Sequence, residues 1–101
     1  MERIAITARL RPGSEERARE LLKAGPPFDP ARVGFTRHSV FLGSDLVVFV
    51  FEGERLAPRL SGLINDPVRA AALGAWAPLL ADRPRLAHEA YHWAAGDAAV
   101  S

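Results

Sequence analysis

The sequence predicts an α+β domain whose elements run β-α-β-β-α-β around a four-stranded antiparallel sheet. Three observations carry this expectation. Two β-rich runs, Phe35 to Leu42 and Asp45 to Glu52, meet at Gly43-Ser44 and read as a hairpin. A run of strict strand alternation precedes them, and apolar residues at helical spacing lie on either side of the pair. The chain has 101 residues, 49% hydrophobic and 25% charged, which suits one globular domain with one core. Residues 1–95 are expected to form that domain and 96–101 a flexible tail.

Arg3 to Leu10 is the first strand, with Ile4, Ile6, Ala8 and Leu10 on one face and Arg3, Ala5, Thr7 and Arg9 on the other. Pro12-Gly13-Ser14 stops it. Ser14 is placed to cap a helix whose first turn holds Glu15 and Glu16 and whose buried stripe is Ala18, Leu21 and Leu22. Gly25-Pro26-Pro27 ends that helix. In the hairpin, Gly43 supplies the positive φ of a type I′ or II′ turn, so that Leu42 faces Asp45. On one side His38 then faces Phe49, Val40 faces Val47 and Thr36 faces Phe51; on the other, Phe41 meets Leu46 and Ser39 meets Val48.

After the hairpin, Leu56, Leu60, Leu63 and Ile64 recur at helical spacing. Asp66-Pro67 restarts a helix with Val68, Ala71, Ala72, Ala75, Trp76 and Leu79 on its apolar face, and Pro78 kinks or ends it. The segment Leu86 to Trp93 has helical spacing by local pattern. A strand is expected there instead, because strand, helix, hairpin, helix is completed by a final strand into the split βαβ arrangement of ferredoxin-like domains.

Composition narrows the function classes. Thirteen basic residues against twelve acidic ones are scattered without a basic run, which disfavours nucleic acid as a partner. The absence of cysteine removes disulfides and thiolate metal sites. Met1-Glu2-Arg3 leads straight into a strand-like run, and the longest apolar run, Leu46 to Phe51, is too short to span a bilayer. A cytoplasmic chain with no membrane partner is expected.

Both sides of the second hairpin strand are apolar, whereas a ferredoxin-like sheet has helices on one face only. The other face would lie in water, and an apolar patch of several hundred Å² is uncommon on a soluble monomer. Pairing two sheets face to face hides it, so a homodimer is expected, with a ligand space between strands and helices.

With this order of elements the chain resembles the dimeric α+β barrel superfamily, which includes antibiotic-biosynthesis monooxygenases, rhamnose mutarotases and tetracenomycin-type aromatic polyketide cyclases. The resemblance to the cyclases rests on Thr36 to Phe41 turning through Gly43-Ser44-Asp45, on Asn65-Asp66-Pro67, and on Glu89-Ala90-Tyr91-His92-Trp93. It implies a dimeric barrel, a small hydrophobic or aromatic ligand and no cofactor. In those cyclases Arg and His residues line the cavity; here the corresponding positions are His38 on the second strand, Phe49 on the third and the neighbourhood of Ala24. The departure leaves three functions in view: a cofactor-free cyclase-like enzyme acting on a poly-carbonyl or aromatic substrate, a cofactor-independent monooxygenase-like enzyme, and a non-catalytic ligand-binding or structural dimer.

The candidate chemistry follows. His38 is the proton-transfer candidate, since an imidazole can drive enolisation of a ketone; its other reading is a histidine that hydrogen-bonds at the dimer seam. Arg9 is its electrostatic partner, able to hold an enolate, with Thr7 on the same face. Thr36, Phe49, Tyr91, His92 and Trp93 complete the expected ligand contacts, the aromatic residues as a wall for a planar molecule. His88 and His92 have metal-ligand spacing on a helix, but on a strand their backbones stand about 13 Å apart at ~3.3 Å per residue, so no metal is expected.

Overall fold

The computed structural model describes residues 1–26, 29–65 and 74–95, and of 62–65 the backbone alone. The elements are β1 (Glu2–Arg9), α1 (Glu15–Lys23), α2 (Pro30–Val33), β2 (Phe35–Leu42), β3 (Leu46–Gly53), α3 (Leu56–Asn65), a 3₁₀ turn (Ala77–Leu79) and β4 (Arg85–His88). The four strands lie in the order β2-β3-β1-β4 and every pairing is antiparallel. This is the expected ferredoxin-like sheet.

Side-chain alternation divides the sheet cleanly. Ile4, Ala8, Val47 and Phe51 point to one side, where Ala18 of α1 and Leu56 and Leu60 of α3 cover them. Both helices therefore occupy one face. Arg3, Ala5, Thr7 and Arg9 of β1, with Val48, Val50 and Glu52 of β3, occupy the open face. Helix α1 forms as expected, with acids in its first turn, Lys23 in its last and an Arg19–Glu15 pair at 3.1 Å. Ser14 stands at the N-cap position, but only its carbonyl is used, accepting from the Ala18 N–H at 2.9 Å. Helix α3 receives its cap from a distant strand: the Glu2 carboxylate accepts from the Leu56 N–H at 3.1 Å.

Four features depart from what the sequence suggested. The hairpin turn is Ser44-Asp45 rather than Gly43-Ser44, since the Gly43 N–H donates to the Leu46 carbonyl at 2.8 Å and Leu42 pairs with Val47. No positive φ is used there. The end of β1 shapes this turn, because the Leu10 N–H takes the Asp45 carbonyl at 2.8 Å. Consequently His38 pairs with Phe51, Val40 with Phe49, Phe41 with Val48 and Ser39 with Val50; a bulge between Phe35 and Arg37 takes Thr36 out of the ladder. The slip is an even number of residues, so each side chain keeps its expected face.

The second is α2, a short helix without a counterpart in the sequence reading, where the Asp29 carboxylate accepts from the Ala31 N–H at 3.1 Å, Pro30 opens the helix and Gly34 closes it at φ +100°. A Cβ at Gly34 would fall on the Arg59 guanidinium, which donates to the Val33 carbonyl at 2.9 Å. Third, Ala75 to Leu79 is not the end of a long helix: Pro78 lies in the 3₁₀ turn, where its missing N–H is tolerated. The expected restart at Asp66-Pro67, its face through Val68, Ala71 and Ala72, and the 96–101 tail lie outside the described residues. Fourth, the final strand spans Arg85–His88, and residues 89–94 continue without regular structure.

Candidate functional site

On the helix-covered side the core falls into two clusters. One joins Ile4, Phe35, Phe51, Leu56 and Leu60; the other joins Ala8, Leu10, Ala18, Val47 and Leu79. Between them runs a row that crosses all four strands in register, made of Val40, Phe49, Ile6 and Leu86. Its members are half-buried except Leu86, which is 53% exposed. Phe49 packs against both clusters and meets the Trp76 ring edge-on at 5.2 Å. An apolar floor with an aromatic wall thus lies between two firm cores, an arrangement able to hold an apolar ligand.

His38 borders this floor. Its Nδ1–H donates to the Val50 carbonyl at 2.9 Å, and its ring stacks on Phe51 with centroids 4.5 Å apart. Because a carbonyl only accepts, this bond places a proton on Nδ1, so that in the neutral ring Nε2 is the acceptor, the atom a general base uses.

The other expected site residues do not converge on it. Arg9 and Thr7 lie on the open face, so the sheet itself separates them from His38. Arg9 is exposed, with its backbone N–H donating to the Asp82 carboxylate at 3.0 Å. The Thr36 hydroxyl donates to the Glu52 carbonyl at 3.0 Å within the bulge. Tyr91 and Trp93, 82% and 67% exposed, follow β4 in the segment whose Glu89 and His92 are fastened to the open face.

That fastening centres on Arg3. Its Nε and Nη2 bind Glu52 Oε1 at 3.0 and 2.9 Å, while Nη1 meets Glu89 at 3.1 Å and His92 Nδ1 at 2.9 Å. With Met1 and Glu2 these groups line a polar hollow of about 250 Å³. The Glu52 side chain is only 13% exposed and Arg37 also approaches it, so it is the pivot of the network. Glu52→Ala should cost about 1–3 kcal/mol in urea unfolding. Adding Arg3→Ala should cost less than the sum of the single losses, and strict additivity would show the two groups to be uncoupled.

Sequence reasoning missed Ile6, Val40 and Leu86 as floor and Glu52 and Glu89 as network partners. The signal for both lay in pairing β1 antiparallel to β3 and β4, which places Arg3 across from Glu52 and Ile6 between Phe49 and Leu86. No cluster of His, Cys, Asp and Glu able to hold a metal occurs among the described residues, and no helix there is long and apolar enough to cross a membrane.

No protein-family model matches the chain, and no curated protein does. Solved structures do. Tetracenomycin F2 cyclase from Streptomyces glaucescens, a type-II polyketide cyclase, superposes with a TM-score of 0.71 at 18% identity, covering 92% of this chain and 97% of that one. An antibiotic biosynthesis monooxygenase gives a TM-score of 0.66 at 10% identity, with 91% and 99% covered. A protein of unknown function from Nitrosomonas europaea gives 0.62 at 21% identity, with 93% and 95% covered. This chain has a ferredoxin-like α+β fold, and these structures are similar to it over nearly its whole length.

Proposed function

We propose that the chain is a small-molecule protein of the dimeric α+β barrel type, and that it closes rings in a poly-carbonyl or aromatic substrate without a cofactor. The observation that carries this reading is the row of half-buried Val40, Phe49 and Ile6 that ends at exposed Leu86, with Trp76 against it and His38 at its border. Aldol closure needs a carbon proton removed between two carbonyls and an alkoxide protonated, followed by loss of water. The Nε2 atom of His38 can take the first proton and return it, while the apolar floor holds the chain folded near its reacting geometry. Arg9 is assigned no part in this step, because it stands across the sheet.

The open face supports the expected assembly. Phe41 and Leu46, 62% and 41% exposed, lie there with Val48, Val50, Ala5 and Ala87, and a second copy of the same face would cover them. The similarity to an antibiotic biosynthesis monooxygenase favours a second reading, in which the same floor holds an aromatic substrate for oxygenation.

The test is turnover of a linear aryl triketone, followed by mass spectrometry and an oxygen electrode. Cyclase-like chemistry appears as loss of water without oxygen uptake, and His38→Ala lowers kcat by about 10²-fold or more. Oxygen uptake with gain of an oxygen atom selects the second reading. Unchanged turnover in His38→Ala removes the imidazole from the mechanism.

A further inference from the structure

The apolar row ends differently at its two sides. At β2 it stops at half-buried Val40, beside His38; at β4 it stops at Leu86, 53% exposed although its side chain shares the face of Ile6. The adjacent row runs His38, Phe51, Ile4 and His88, again across all four strands in register. Its middle is core and its two ends are imidazoles. Paired residues in antiparallel strands project to the same side, so His88 stands on the helix-covered side, next to Leu86 along β4.

The three histidines of the chain are not equivalent. His38 is held by the Val50 carbonyl and His92 by Arg3. His88 is exposed, and among the described residues its side chain makes no hydrogen bond or ion pair. Three strand spacings of ~4.8 Å separate the backbones of His38 and His88, about 14 Å in all. A body of two or three fused rings, or a chain of similar length, spans that interval once both side chains reach inward.

We propose that His88 is the second polar contact of the groove, so that the ligand carries a hydroxyl or carbonyl at each end of an apolar body, one end meeting His38 and the other His88. The inference rests on the groove being the ligand site. It adds a specificity residue at the solvent end, where an imidazole can donate to a carbonyl or accept from a hydroxyl.

Two probes separate this from the underlying reading: 2-hydroxyanthraquinone, with one hydroxyl, and 2,6-dihydroxyanthraquinone, with one at each end. Their dissociation constants are read from Trp76 fluorescence in a Trp93→Phe background. The wild-type groove should favour the dihydroxy probe about five-fold, the worth of one added hydrogen bond. His88→Ala should abolish that preference while leaving affinity for the monohydroxy probe unchanged, and His88→Gln should restore it in part. Leu86→Asp should weaken both probes. If neither probe binds the wild type, the groove reading fails; if both bind and His88→Ala keeps the five-fold preference, the assignment of His88 is overturned and the groove reading survives.

Discussion

Phe51→Ala is expected to remove about 3–5 kcal/mol of unfolding free energy, the largest loss from any single side chain of the sheet. Phe51 is 3% exposed, lies 4.8 Å from the Phe35 ring and 4.5 Å from the His38 ring, and belongs to the cluster with Ile4, Leu56 and Leu60. No neighbour can fill the void by a rotamer change alone, since sheet and helix both contribute rigid walls. Urea unfolding should show a lower midpoint at unchanged slope, and the melting temperature should fall by roughly 15–30 °C. The same substitution removes the platform under His38, so ligand affinity should fall even at temperatures where the variant is folded. A loss under about 1 kcal/mol would show that this side chain is not the keystone of its cluster.

Phe41→Asp is expected to act on assembly and leave the fold alone. The ring is 62% exposed in the single chain, so its loss should change monomer stability by no more than about 0.5 kcal/mol. In a face-to-face pair the new carboxylate would be buried against apolar Val48 and its counterparts, without a partner. Sedimentation at micromolar concentration should report twice the 11.0 kDa chain mass for the wild type and a single chain for the variant. A wild type that sediments as single chains removes the paired-sheet proposal. A variant that stays dimeric moves the interface elsewhere.

Much of this architecture was legible because the pattern repeats locally. The alternation of Ile4, Ile6 and Ala8 against Arg3, Ala5 and Thr7 specifies both a strand and its two faces, and the buried residues of the strand, Ile4 and Ala8, lie on the first of them. The hairpin was legible as a pair of strands but not in its turn, because the Asp45 carbonyl serves Leu10, a contact no short-range rule contains. Parity rescued the faces. Helix α2 was available in Asp29-Pro30 and Gly34, the same start and stop signals used elsewhere in the chain, yet at four residues it is too short for apolar periodicity to announce. The site was less legible than the fold. His38 and Arg9 both suit acid–base chemistry on a carbonyl compound, and nothing in either residue says that a sheet stands between them. That fact is carried by which strand pairs with which, and so by contacts between distant parts of the chain.

Strand β1 occupies the centre of the sheet, yet its hydrogen-bonded neighbours come late: Arg9 pairs with Leu46, and Ile4 with both Phe51 and His88. Closing such wide loops carries an entropic cost before any contact repays it, which places the chain among slower-folding topologies. During synthesis the β2–β3 hairpin can zip up by itself, whereas the first strand must wait with Ile4 and Ile6 bare until β3 has left the ribosome. In that interval the nascent segment is a natural client for chaperones that recognise extended greasy peptides.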